Sequence, residues 1–300
     1  MGAARPPAGG IRVNATGESG AADQPVVRLT GVGKTFGAMD APVVALADIN
    51  LEIGRGEFVS LIGPSGCGKS TLLRLIGDLT DATDGSVEVN GKPARRARLD
   101  RDYGMVFQSP VLFDWRTVED NVRLPLELFG HDRASQDRRA SEMLELVGLT
   151  EFAKRHPYEL SGGMQQRVAI ARALAFSPSL LLMDEPFGAL DEMTRERMNS
   201  EVLSIWERTG ITVVFVTHSI PEAVFLSSRV AVMSARPGRV TRIVEVDLPR
   251  PRGLETRESP RYFNLIIEVR EALRAGDRAG AASEATLASP ERTAAEGGIG

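Results

Sequence analysis

The sequence predicts an α/β fold, a mixed β-sheet with helices on its faces, interrupted by a helical insertion. Three observations carry that expectation. Leu180-Leu181-Leu182-Met183 and residues 211–217 are short continuous apolar runs, the pattern of strands buried on both faces. From Thr117 to about Ser177 apolar residues recur instead at three- and four-residue steps, the helical period. Residues 57–62 form a third strand-like run, which passes through a glycine-rich turn into Leu72, Leu73, Leu75 and Ile76 at helical spacing.

In order, residues 1–24 are rich in Ala, Gly and Pro with few large apolar side chains, and are expected to be a disordered leader. They lack the apolar segment of a signal peptide, and Pro6 stands where an acylation signal at Gly2 would want Ser or Thr. Residues 26–30 read as a strand, followed by a polar turn at 33–37 that carries Phe36. Residues 43–53 form a second strand region, and Gly54-Arg55-Gly56 turns into the strand at 57–62. Ser86–Val89 is a short strand between Asp84-Gly85 and Asn90-Gly91, and another spans 103–107. Helices are expected at 118–129, 140–147 and 163–176, and a polar one at 191–208. Residues 229–234 and 239–246 form a hairpin around Pro237-Gly238. Ser259-Pro260 starts a last helix with an apolar stripe of Tyr262, Ile266, Val269 and Leu273, Gly276 is expected to cap it, and 277–300 reads as a disordered tail. The domain at 25–246 thus carries a helical subdomain at about 110–177 and an extension at 247–276.

Composition narrows the function classes. The chain is 42% hydrophobic and 25% charged, as soluble globular domains are. A net charge of −4 gives no basic footprint for nucleic acid. No apolar run approaches the roughly 18 residues that cross a bilayer, so a membrane role requires a partner. A single cysteine, Cys67, forms no intramolecular disulfide and suits a reducing compartment.

The turn after residues 57–62 reads Gly63-Pro64-Ser65-Gly66-Cys67-Gly68-Lys69-Ser70-Thr71 and fits the phosphate-binding pattern G-x-x-x-x-G-K-[ST]. A loop between strand and helix aims successive N–H groups and the positive helix end at one point. Glycine lets the backbone approach phosphate oxygens without a side chain in the way. Lys69 then reaches the β- and γ-phosphates, and the Ser70 hydroxyl ligates Mg²⁺. An accidental match arises in about 1 of 100 chains of this length, and the strand-helix context argues against one here.

Asp184 and Glu185 end the apolar strand at 180–183, where two adjacent carboxylates do not solve a packing problem. Asp184 is placed to hold Mg²⁺ through its water shell, and Glu185 to orient and deprotonate an attacking water. A solvated acidic turn is the competing account. His218 follows the strand at 211–217, so the strand end delivers it to the same rim, ready to donate to the γ-phosphate. His131 and His156 receive no role. Gln108 ends another strand, and its amide suits Mg²⁺ or the water, or it is an ordinary polar residue at a strand end. Leu160-Ser161-Gly162-Gly163-Met164-Gln165-Gln166 opens a long helix as a second anion-binding terminus, or as a plain Ser cap with flexible glycines. One monomer's nucleotide does not need it. It makes sense if it reads ATP held by another copy.

With these motifs in this order over residues 26–246, including Ala189-Leu190-Asp191, the chain resembles the ATP-binding subunits of ABC transporters. The resemblance implies the phosphate-loop ABC cassette, with a mixed-sheet core, an antiparallel β part and an inserted helical subdomain. It implies a head-to-tail dimer that sandwiches two ATP molecules, each between the phosphate loop of one chain and Ser161, Gly162, Gly163 and Gln165 of the other. It makes Phe36 the aromatic that stacks on adenine, although the residues alone equally allow a core role. Asp191 would couple the two sites, and is also a natural helix N-cap.

The resemblance also implies transmembrane permease subunits as partners at the cytoplasmic face of the membrane, and, indirectly, an extracytoplasmic solute-binding protein. Val111, Leu112, Phe113, Trp115 and Arg116 are expected to line the permease groove, or to be core of the insertion. Residues 114–118, 233–239 and 247–252 resemble the importers of nitrate, alkanesulfonates, taurine or thiamine-precursor pyrimidines. The alternative is a soluble ABC-type ATPase acting on nucleic acid or ribosomes. It usually carries a long coiled-coil insertion or tandem cassettes, and this sequence has neither. A phosphate-loop kinase leaves the helix at Ser161 unexplained.

Overall fold

The computed structural model describes residues 24–37 and 42–287. The expected leader at 1–24, apart from Gln24, and the end of the tail at 288–300 lie outside them. Strands β1 (Val27–Phe36) and β2 (Val43–Ile53) form an antiparallel hairpin, and β3 (Phe58–Ile62) leads into α1 (Lys69–Ile76). Next come β4 (Asp84–Val89), the two-residue β5 (Lys92–Pro93), α2 (Ala94–Leu99) and β6 (Tyr103–Val106). Three helices follow between β6 and the next strand: α3 (Val118–Leu128), α4 (Arg133–Leu146) and α5 (Gly162–Leu174). The main sheet resumes with β7 (Leu180–Asp184), then α6 (Glu192–Thr209), β8 (Thr212–Val216), α7 (Ile220–Leu226), β9 (Arg229–Met233) and β10 (Val240–Glu245). Helices α8 (Leu254–Glu258) and α9 (Pro260–Leu287) close the described chain.

One sheet has the order β2-β1-β4-β5 and is antiparallel; the other runs β10-β9-β3-β8-β7-β6 and is parallel except at β10. The period-two alternation of a strand sorts the main sheet's side chains into two cores. Val59, Leu61, Leu180, Leu182, Val214 and Val216 pack with α1 and the antiparallel sheet. Phe58, Ile62, Leu181, Met183, Val213 and Phe215 pack under the helices of the opposite face. Burial on both faces explains why these strands read as unbroken apolar runs, and each such side chain stabilises the sheet by about 1.5–3 kcal/mol.

Three expectations change. The helix expected at 140–147 begins earlier, at Arg133, where Asp132 caps it. The polar turn at 33–37 is largely strand: β1 continues to Phe36, which pairs with Val43, through register shifts that absorb the glycines. Gly276 does not cap the last helix, and residues 277–287 of the expected disordered tail are helical as part of α9. Gly276 is buried, and a Cβ there would lie 3.1 Å from Thr241 Oγ1, so glycine serves close packing on β10. The alanine-rich sequence beyond it sustains a helix. Helices α2, α7 and α8 carried no expectation; all are under eight residues, too short to show a period.

Candidate functional site

The carboxyl ends of β3, β8, β7 and β6 share one edge of the parallel sheet, and the motif residues gather there. Strand order reverses at β3, between β8 and β9, where open parallel sheets bind ligands. The loop at 63–68 is held tightly to its neighbours. A Cβ on Gly63 would sit 2.8 Å from Cys67 Sγ and 3.0 Å from Met233 O. Gly68 has φ +102°, open to glycine, with Leu46 Cδ2 at 2.6 Å from any Cβ. No side chain caps α1, so its first N–H groups remain for an anion.

Lys69 is buried and donates from Nζ to Gly63 O at 2.9 Å and Pro64 O at 3.0 Å, which folds its ammonium over the loop. Ser70 Oγ donates to Asp184 Oδ1 at 2.7 Å, joining the start of α1 to the end of β7. Glu185 leaves β7 with φ +44°, a left-handed conformation that a side chain rarely adopts, and its N–H donates to Val216 O at 3.1 Å. Such strain persists where surrounding structure enforces it, commonly at functional sites. The turn aims Glu185 Oε2 at His218 Nδ1, 3.3 Å away.

Phe36, Ser65, Lys69, Ser70, Thr71 and Glu185 line one cleft of about 310 Å³, also bounded by Gly66 and Gly68. Gly63, Pro64 and Cys67 form the body of the loop, with Cys67 buried. Phe36 is 43% exposed at the cleft, which removes the core account of it. Lys34 Nζ lies 4.9 Å from its ring centroid.

Other expected residues do not line that cleft. Gln108 is exposed, with its amide nitrogen 3.2 Å from a Cβ built on Gly188. Ser161 caps α5, accepting from Met164 N at 3.4 Å, while Gly162 and Gly163 face Leu190 and Thr194 of their own chain. Gln165 donates from Nε2 to Pro157 O at 2.9 Å and Leu160 O at 3.3 Å, so its amide is committed to backbone. Asp191 is the N-cap of α6; the Thr194 N–H it accepts at 3.0 Å holds its carboxyl below the usual range. Trp115 is 74% exposed, its ring 4.7 Å from that of Phe113 and tilted 49° to it, and Val111 is also exposed, whereas Leu112 packs on the core.

Sequence reasoning missed two contributors. Arg236 lines the cleft and donates to Gly66 O at 3.2 Å, which sets a cation at its mouth; a basic residue in the turn of a hairpin gives no signal of that placement. Gln166 is 2% exposed and donates from Nε2 to Phe107 O at 2.9 Å, tying α5 to the residue before Gln108.

A glycine loop feeding an uncapped helix, with a hydroxyl–carboxylate pair and a carboxylate–imidazole pair on the same sheet edge, defines a phosphate-loop nucleotide-binding protein. The family model described as ABC transporter matches residues 46–188. Together with close relatives over most of its length, this match shows that the chain belongs to the ABC transporter ATP-binding family.

An uncharacterized ABC transporter ATP-binding protein of Methanocaldococcus jannaschii is 47% identical over 81% of this chain and 90% of the relative. The nitrate import ATP-binding protein NrtD of Synechocystis sp. is 44% identical, over 83% of this chain and 95% of the relative. The taurine import ATP-binding protein TauB of Rhizobium johnstonii is 48% identical, over 77% and 89%. Among solved structures, the dimeric ABC transporter cassette MJ0796 aligns with a TM-score of 0.64 at 38% identity, over 76% of this chain and all of that one. A second structure of that cassette, in a post-hydrolysis state bound to ADP and Pi, aligns equally well. The chain is thus an ABC cassette of the expected mixed-sheet fold, and an ATPase.

Proposed function

We propose that this chain hydrolyses ATP at a site shared by two copies, and that the cycle energises a membrane importer for nitrate, a sulfonate, taurine or a related small solute. The observation that carries the two-copy site is the separation of two anion-binding helix ends. Lys69 and Ser70 line the cleft, while Ser161, Gly162 and Gly163 start α5 against Leu190 and Thr194, outside it. A head-to-tail partner supplies the missing wall. MJ0796, described as dimeric, supports the arrangement. The import names carried by NrtD, TauB and an aliphatic sulfonates relative, SsuB of Bacillus cereus, support transport over a soluble ATPase acting on nucleic acid or ribosomes.

Within the site, loop N–H groups and Lys69 bind the phosphates, and Phe36 stacks on the base. Ser70 and Asp184 present adjacent hard oxygen donors, 2.7 Å apart, which fits Mg²⁺ held by few protein ligands plus phosphate oxygens. Gln108 would join them when the site closes. Bound there, Mg²⁺ would neutralise charge on the phosphates. Glu185 accepts a proton from the attacking water, and His218, beside it, donates to the γ-phosphate. Asp191, the N-cap of α6, is assigned the coupling of the two sites. No helix among the described residues is long and apolar enough to cross a membrane. The import ATP-binding names of its relatives support a peripheral place on the cytoplasmic face. There the exposed Val111 and Trp115 face a permease, which in turn meets an extracytoplasmic solute-binding protein.

Complementation tests the shared site. Lys69→Ala and Ser161→Arg should each be inactive alone. Mixed in equal amounts, half the dimers pair one of each, with one of two sites intact, so about a quarter of wild-type ATPase should return. An active Ser161 variant alone, or a mixture as inactive as its parts, would refute it.

A further inference from the structure

Glu222 is an ionisable side chain that the hydrolytic site leaves without a task. It lies in the first turn of α7 at only 5% exposure. A carboxylate is costly to bury, and a well-packed apolar residue would serve stability as well or better. Burial pushes its pKa up, while the Thr217 hydroxyl and the nearby Arg195 and His218 favour the charged form.

Its contacts frame the histidine. Thr217 Oγ1 donates to Glu222 Oε2. The same hydroxyl oxygen accepts from Ser219 N at 3.0 Å, across His218, and Ser219 Oγ accepts from Glu222 N at 3.4 Å. The residue enclosed by this ring of bonds is the one whose Nδ1 stands 3.3 Å from Glu185 Oε2. Glu185, His218, Arg195 and Glu222 border one small cavity. Glu222 Oε1 is buried and makes no hydrogen bond of normal geometry, although the Asn199 side chain lies close enough to favour the carboxylate. Arg195 donates to Leu190 O at 2.7 Å, in the loop that ends at Asp191. An ordinary acidic residue in a first helical turn points to solvent; this one turns inward to Thr217, behind His218.

We propose that Glu222 is a positioning residue: by holding the Thr217 hydroxyl it fixes the turn that presents His218 to Glu185 and the γ-phosphate. The inference rests on the role assigned to His218 above. A misplaced imidazole weakens transition-state contacts while ATP binding, which belongs to the phosphate loop, continues.

The test uses the full chain with ¹³C-labelled histidine, whose three residues His131, His156 and His218 give few signals to assign. Glu222→Ala should lower kcat by about tenfold to a hundredfold with KM for ATP unchanged, since displacement of a catalytic group by about 1 Å costs that much. It should shift the His218 resonance and leave those of His131 and His156 in place. Glu222→Gln keeps an oxygen for Thr217 and should restore most of kcat. Thr217→Val removes the hydroxyl at constant volume and should reproduce both effects of the Ala variant, which keeps the test decisive if Ala does not fold. In a His218→Ala background Glu222→Ala should cost nothing further, because coupled residues are not additive. An unmoved His218 resonance, or a full additional loss in that background, overturns the proposal. Wild-type turnover by His218→Ala alone would instead remove the role of His218, whatever its resonance does.

Discussion

Exchanging Glu185 for Gln probes the hydrolytic step with the least change of shape. Gln has nearly the same volume and tolerates the φ +44° backbone as Glu does, so the fold should lose no more than about 0.5 kcal/mol. Among the described residues the Glu185 side chain bonds to His218 at 3.3 Å and not to Lys69 or Ser70. ATP affinity should therefore be unchanged. An amide cannot take the proton of the attacking water, and a positioned base contributes about 10²–10⁴ in rate, or about 3–5 kcal/mol of barrier. Binding without turnover lets the two-copy complex accumulate. Gel filtration of the variant with ATP and Mg²⁺ should give a dimer that reverts to monomer with ADP, while phosphate release falls by that factor. A persistent monomer with rapid turnover would refute both the role of Glu185 and the shared site.

Two further outcomes follow from the same geometry. Trp115→Ala, at a side chain 74% exposed, should leave folding and basal ATP hydrolysis intact and abolish coupled uptake in vesicles; loss of folding would return the cluster to the core. Arg252 is buried, donates to the carbonyls of Val224, Phe225, Ser227, Val246 and Leu248, and has its pKa lowered to about 10 by burial. Arg252→Met should strand those acceptors at about 3–5 kcal/mol in all, read as a fall in Tm of roughly 5–8 °C for a chain of this length, and an unchanged Tm would show that the extension does not brace α7.

The sequence by itself determined the local chemistry. Apolar runs buried on both faces marked β3, β7 and β8, because such strands have no solvent face to alternate with. The glycine pattern marked the phosphate loop, because Gly63 and Gly68 leave no room for a Cβ. Asp184-Glu185 and His218 were legible as polar residues ending apolar strands. Tertiary structure decided what depends on pairing and crossing between distant segments. Register with Val43 drew the expected turn at Phe36 into β1 and left its ring at the cleft. Contact with Thr241 gave Gly276 a packing role inside a helix that composition alone ended there. Packing also brought Arg236 to the loop from 170 residues away and turned Glu222 inward behind His218, placements to which no period or motif points. Above all, it set Ser161–Gly163 apart from Lys69. Their spacing along the chain says nothing of that distance, because parallel strands are rejoined by crossovers whose direction only the assembled sheet decides.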